Sequence, residues 1–370
     1  MNISLRLIST LLAPVVPILA LAWSVSAQAQ VGMSSIQADQ LPITLVYPTP
    51  AASKLVTLGP FELNVALNAA PEAKLHRLVV LSHGTAGSAQ ADHHLAAALA
   101  RAGFVVAQPL HAGDNFRDAT KAGPAAFQTR PQEVSQVIDA LAKHPQWSAR
   151  LQLDKVGVHG MSAGGVTALA LAGGQWRTLN LVQHCNRVQD ADAGFCYQGA
   201  AYGQARLERE ANFARAKNAP EMFLPAEIKL LHGGISPSAG NAEVRPDPRI
   251  AAATLSVPVA AIFSAESLAR IQIPVGVVSA KHDQVLAPRF HSEHVLAHCR
   301  SCVRLTDLPA AHFDLLSPWP DALAAEAAKA QVRGGLPTPG FDAKLRDTAF
   351  AQIVQFHLKH LGLISTASKP

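Results

Sequence analysis

The sequence predicts an α/β fold built on a mainly parallel sheet, and three observations carry the prediction. Short apolar runs of strand length recur at Leu78 to Leu81, Phe104 to Ala107, Val156 to His159, Ile250 to Val257 and Pro274 to Ala280. Stretches with helical spacing, about His93 to Ala102, Arg130 to Lys143 and Ala163 to Ala172, alternate with the first of these runs, and such alternation argues for βαβ units. The chain has 370 residues, 49% apolar and 15% charged, enough to bury a large core and too apolar for extended disorder.

The first residues read as an export signal. Arg6 is the only early charge, an apolar stretch runs from Leu7 to Trp23 with Pro14 and Pro17 inside it, and Ala27-Gln28-Ala29 offers small residues for cleavage before Gln30. Residues 1–29 are therefore expected to be a signal peptide, and 30–370 a catalytic domain that works in the periplasm or outside the cell. No later stretch is apolar for long enough to span a bilayer, so the mature chain is expected to lack an integral membrane segment. A formal charge of +5, without Lys/Arg runs or interleaved aromatics, gives no support for nucleic-acid binding.

From Thr44 to Ser82 the pattern is strand-like, with Leu45-Val46-Tyr47 and Glu62 to Leu67 ahead of Leu78, so the sheet should begin antiparallel. The βα rhythm lapses between Gly173 and Asp247, which reads as a cap inserted at 173–247. At the end, Leu345, Ala349, Ile353 and Phe356 recur at helical spacing, so a closing amphipathic helix should pack on the sheet. The four cysteines fit an oxidising compartment, and their placement suggests two local disulfides, Cys185 with Cys196 and Cys299 with Cys302. The alternative for the second pair is a redox couple or half of a zinc site.

Chemistry concentrates at Gly160-Met161-Ser162-Ala163-Gly164, between the strand Val156-Gly157-Val158 and the helix that follows. This is the context of a nucleophile elbow: a tight strand-to-helix turn that strains its central residue and needs glycine at the flanks. A serine hydroxyl is a poor nucleophile until a base takes its proton, and that base needs a partner to hold its tautomer. Asp283, beyond the run Val275-Gly276-Val277-Val278, and His312, after Val303-Arg304-Leu305, stand in the chain order Ser, acid, His. Asp307, Asp314 and Asp247 are the competing acids. An oxyanion hole requires two backbone N–H donors. One is expected from Ala163 and the other from Thr85, in the loop Ser82-His83-Gly84-Thr85-Ala86-Gly87.

These residues resemble the α/β-hydrolase superfamily, and within it the predicted dienelactone hydrolases and the platelet-activating-factor acetylhydrolases. The resemblance rests on Ser82-His83-Gly84-Thr85, on Gly103 to Ala107 leading to His111-Ala112-Gly113-Asp114, on the Ser162 elbow, on Ile273 to Asp283, and on Ala311-His312-Phe313. It implies the α/β-hydrolase fold and hydrolysis of a small-molecule carboxylic ester with no cofactor and no metal. Dienelactone hydrolases proper use a cysteine nucleophile, whereas this chain has Ser162, which separates it from a dienelactone substrate. A lactonase or acetylhydrolase is the alternative within this fold. Two readings belong to other classes. Asp92-His93-His94 with His291, His294 and His298 would be zinc ligands if a carboxylate converged on them, and a binding protein could keep the fold without catalysis.

Overall fold

In the computed structural model, residues 30–197, 211, 245–329 and 336–362 are described; the expected signal segment lies outside them, as does most of the cap beyond 197. Ten strands form the sheet: β1 (Gln30–Ala38), β2 (Leu41–Thr49), β3 (Lys54–Leu58), β4 (Phe61–Leu67), β5 (His76–Ser82), β6 (Val105–Pro109), β7 (Leu151–Met161), β8 (Ile250–Ser256), β9 (Val275–Ala280) and β10 (Cys302–Leu308). Their order is β10-β9-β8-β7-β5-β6-β2-β1-β4-β3. Strands β6, β5, β7, β8, β9 and β10 run parallel to one another, and β1 and β2 join that block through antiparallel pairing of β2 with β6.

Parallel strands require crossover helices, and those helices cover both faces of the sheet. Strand β5 shows the result in its sequence. Leu78 and Val80 face a core shared with α2 (Pro124–Lys143) and α3 (Gly164–Leu171), while Val79 and Leu81 face a core shared with α1 (His93–Arg101) and the closing helix, Ala343–Leu361. Period-two geometry divides the run between two apolar layers, so no polar residue interrupts it. The closing helix buries Ala349, Ile353 and Phe356 as their spacing predicts, and adds Phe350 and Val354.

Two elements differ from expectation. Strand β1 has little apolar signal, yet it pairs with β2 over its whole length, from Gln30 opposite Thr49 to Ala38 opposite Leu41. Only Val31, Met33 and Ala38 supply buried apolar side chains, so the long antiparallel ladder, and not hydrophobic periodicity, makes this strand. Helix α2 begins at Pro124 and not near Arg130, and Pro131 sits inside it. A proline within a helix looks like a start because it lacks the N–H for the ladder. Here burial of Ala126, Phe127, Arg130, Pro131 and Val134 carries the helix through that missing bond.

In the segment expected to be a cap, α4 (Thr178–Val188) and the short α5 (Ala193–Cys196) follow α3. Gly194 lies against the backbone of Gln284 and Val285, so this segment packs on the loop that follows β9. Among the described residues no helix is long and apolar enough to cross a membrane.

Candidate active site

Strand β7 ends at Met161 and α3 opens at Gly164, leaving Ser162 at the turn with φ 55°. That left-handed backbone is uncommon for a residue with a side chain and persists only when its surroundings hold it. Three hydrogen bonds do so: the Ser162 N–H donates to Ser256 O (3.0 Å), and the Ser162 carbonyl accepts from Gly165 and Val259 (both 2.9 Å). The glycines have a steric cause. A β-carbon at Gly160 would overlap the Gly164 carbonyl, and one at Gly164 would overlap the carbonyl of Ser82.

Asp283 follows β9 and His312 follows β10, so the parallel register brings both to the strand ends beside Ser162. Ser162 Oγ lies 3.0 Å from His312 Nε2, and His312 Nδ1 lies 2.7 Å from Asp283 Oδ2. The other oxygen, Asp283 Oδ1, accepts the N–H groups of Val285 and Leu286, both at 2.8 Å, which fixes the carboxylate plane. Asp283 and His312 are buried. The competing acids are occupied elsewhere. Asp307 is near Lys281 and Arg304, Asp314 accepts from Ala311 and Thr338, and Asp247 pairs with Arg249 and Ser135.

A β-carbon on Gly84 would stand 3.4 Å from Ser162 Cβ, so the loop after β5 lies directly against the elbow. Among the described residues neither the Thr85 nor the Ala163 amide is spent on a backbone acceptor. The loop turns at Ala86, with φ 51°, whose N–H donates to Asp114 Oδ1 (2.8 Å). Behind it lies a buried polar cluster that sequence reasoning passed over. Arg130 pairs with Asp114 at 2.6 Å, and His111 stands between Ser82 Oγ (2.8 Å) and Glu133 (2.6 Å). Burial holds the His83 and His111 imidazoles well below their usual range. The one available hint was His111-Ala112-Gly113-Asp114 just past β6, a polar stretch beside a buried strand end.

Both disulfides are present, Cys185 with Cys196 and Cys299 with Cys302. The first closes a loop holding Asp192, whose Oδ2 accepts from His184 (2.8 Å) and His291 (2.9 Å) and whose Oδ1 accepts the Ala287 N–H (3.0 Å). Burial would raise this carboxyl, but the hydrogen bonds from His184 and His291 outweigh it and hold it well below the usual carboxylate range. The three side chains bring their ligand atoms within 4.8 Å of one another, as a metal site would. However, His291 Nδ1 accepts the Ala260 N–H, so Nε2 carries the proton given to Asp192 and has no lone pair for a cation. Asp192 thus ties the segment after α3 to the stretch that follows Asp283. Two other histidines of the zinc reading bond to carbonyls, His294 to Phe263 and His93 to Gln90.

An open cleft of about 880 Å³ is lined by Thr85, in the loop after β5, and by Phe313, the neighbour of His312. Phe61, Phe116, Leu316 and Trp319 make much of its wall apolar, and β1 and β4 close its far side.

The fold and the dienelactone hydrolase family profile that the chain matches together define the class: a carboxylic ester hydrolase of the α/β-hydrolase fold. In sequence, the profile of the dienelactone hydrolase family matches residues 65–183, a stretch that contains the loop after β5 and the turn at Ser162 but neither Asp283 nor His312. In structure, the chain is similar to a ferulic acid esterase from Streptomyces cinnamoneus, with a TM-score of 0.52 and 15% identity, covering 93% of this chain and 94% of that one. No curated protein matches the chain in sequence.

Proposed function

We propose that the protein is an exported serine esterase that cleaves small carboxylic esters through an acyl-enzyme, with Ser162 as nucleophile, His312 as base and Asp283 as the acid that orients it. The observation that carries this reading is the unbroken hydrogen-bond chain from Ser162 Oγ through His312 to Asp283, at 3.0 and 2.7 Å. His312 Nε2 takes the Ser162 proton as Oγ bonds to the ester carbonyl carbon, while Asp283 accepts the Nδ1–H and stabilises the imidazolium. The carbonyl oxygen becomes an oxyanion held by the N–H groups of Thr85 and Ala163, the latter beside the N-terminus of α3, where the helix dipole favours negative charge. When the carbonyl re-forms, the C–O bond to the alcohol breaks and His312 returns its proton to the departing oxygen. Water then attacks the acyl-enzyme by the same route, releasing the acid and restoring Ser162. No cofactor enters these steps.

The apolar cleft beside Thr85 suits an ester with an apolar acyl or alcohol part. Export is supported by the two disulfides, which suit an oxidising compartment, and by the leader-like pattern of residues 1–29. Residues 30–370 are read as one catalytic domain with 173–247 inserted as a cap.

A fluorophosphonate probe located by mass spectrometry tests the assignment. The adduct is expected on Ser162, and Ser162→Ala should abolish hydrolysis of p-nitrophenyl acetate while leaving the thermal transition in place. An adduct on another serine, or appreciable activity in that variant, would reject it.

A further inference from the structure

The polar cluster behind the oxyanion loop is costly to bury, and the proposed chemistry has not used it. Arg130 is fully buried at 0% exposure, on a helix whose other inward residues are mostly apolar. Burying a guanidinium is unfavourable unless its N–H groups find good acceptors, so its partners indicate what the site was built to hold. Arg130 Nη1 donates to the His83 carbonyl (2.6 Å), and Nη2 donates to Asp114 Oδ2 (2.6 Å), to the Asp114 carbonyl (3.2 Å) and to the Gly84 carbonyl (3.3 Å). Two of these acceptors are successive carbonyls of the loop that lies against Ser162.

The Gly84 carbonyl receives two further donors. Gly87 N–H reaches it at 3.1 Å, and His83 Nδ1 lies at 2.8 Å. The tautomer of His83 follows from its other nitrogen, because Nε2 accepts the His111 N–H (3.2 Å), leaving the proton on Nδ1. Three donors thus draw this oxygen toward the interior. A peptide unit is planar and trans, so its N–H points opposite to its C=O. Holding the Gly84 carbonyl inward aims the Thr85 N–H outward, on the side where Gly84 meets Ser162.

We propose that Arg130 is the positioning residue of the oxyanion hole: anchored by Asp114, it holds the His83 and Gly84 carbonyls so that the Thr85 N–H faces the oxyanion formed at Ser162. Asp114 serves the loop twice, fixing Arg130 through Oδ2 and the Ala86 N–H through Oδ1. A second string sets the distance to the other donor. Ser82 Oγ, held by His111, lies 3.1 Å from Thr167 Oγ1 on α3, the helix that starts beside Ala163. The proposal rests on the reading of Ser162, Thr85 and Ala163 given above, and Arg130 itself touches no reacting atom.

The test compares the wild type with Arg130→Lys and with the double variant Arg130→Met, Asp114→Leu. Removing one member leaves a buried unpaired charge, whereas replacing both with apolar residues of similar size can keep the fold while deleting the clamp. For each protein, kcat and KM for p-nitrophenyl acetate are measured with the inhibition constant of a trifluoromethyl ketone, which forms a tetrahedral oxyanion on serine. Losing one oxyanion donor lowers kcat about 10²-fold to 10³-fold, so both variants should lose about 100-fold in kcat with KM within about threefold. The inhibition constant should rise by the same factor as kcat/KM falls, and the pH profile should keep its shape because His312 is untouched. A folded double variant that retains kcat and inhibitor affinity would overturn the proposal, as would a loss confined to KM. If the wild type itself were insensitive to the ketone and Ser162→Ala stayed active, the site reading would fall and the proposal with it.

Discussion

Asp283 Oδ2 stands 2.7 Å from His312 Nδ1, while Asp283 Oδ1 is held by two backbone N–H groups of its own loop. The carboxylate is thus locked before substrate arrives, and its free oxygen selects the His312 tautomer with the proton on Nδ1. In Asp283→Asn an amide group replaces this acceptor and that tautomer loses its support. We expect kcat to fall by about 10²-fold to 10⁴-fold, with KM little changed. Steady-state kinetics on a p-nitrophenyl ester check this, and a variant within about fivefold of wild type would contradict it.

Gly164→Ala should damage the fold as well as the site. Its β-carbon would overlap the Ser82 carbonyl, a backbone atom at the end of β5 where the loop beside Ser162 begins. Either α3 or β5 must shift, at a cost of about 1–3 kcal/mol. Chemical denaturation should show the midpoint moving down with an unchanged slope. An unaltered midpoint would mean that the close approach is relieved at no cost.

Reduction should loosen the region that supports Asp283. The Cys185–Cys196 bridge closes an 11-residue separation around Asp192, which clamps His291 and the Ala287 N–H. Loop-closure entropy alone is about 3 kcal/mol for a loop of this order. The bridge between Cys299 and Cys302 spans a separation of only 3, so it should matter less. Cys185→Ser with Cys196→Ser should lower the Tm more than the equivalent change at Cys299 and Cys302; scanning calorimetry would reveal the reverse order if the clamp were unimportant.

Acid should destabilise the protein through two buried histidines. His159 Nδ1 and His357 Nε2 each lie 2.9 Å from Thr254 Oγ1, and burial pushes both imidazoles down from the usual 6.5 to about 3. The folded pKa lies below the unfolded one, so between pH 6.5 and 3 the unfolded chain binds protons that the native chain refuses. Their contribution is intact above pH 6.5 and declines below it, by about 2 kcal/mol per histidine at pH 5. Unfolding curves at pH 7.5 and 5.0 should therefore differ, and His159→Gln with His357→Gln should narrow the gap. An equal gap in that variant would assign the acid sensitivity elsewhere.

Phe116 is 58% exposed and lines the cleft next to Thr85, so it is free to contact substrate at little cost to the fold. Phe116→Ala should reduce kcat/KM for a bulky aryl ester about tenfold, the equivalent of about 1.4 kcal/mol of lost apolar contact, while p-nitrophenyl acetate stays within about twofold. Parallel losses on both substrates would place Phe116 outside the specificity pocket.

How much of this was legible before folding depends on the range of the signal. Gly160-Met161-Ser162-Ala163-Gly164 carries its own geometry, because a strand-to-helix turn with φ 55° at its centre needs small residues within two positions. Asp283 could be placed because it follows β9, an apolar run buried along its whole length, and His312 because it follows the strand-like run Val303-Arg304-Leu305, which forms β10 at the edge of the sheet. The same local logic produced the parallel sheet and the closing helix. It failed at β1, where a ladder to β2 replaces hydrophobic alternation, and at α2, where burial carries a helix past Pro131.

The sequence by itself determined the fold class and the chain order in which Ser162, Asp283 and His312 follow their strands, since each is written in residues close together along the chain. Only the tertiary structure decided which acid meets His312, which histidine meets Asp192, and which carbonyls Arg130 holds in the loop after β5. Those contacts join positions 29, 99 and 47 residues apart, as in Asp283 with His312, Asp192 with His291, and His83 with Arg130. A side chain's partner at such range is chosen by where strands and helices pack, and the strength of a buried charge comes from the water that packing excludes.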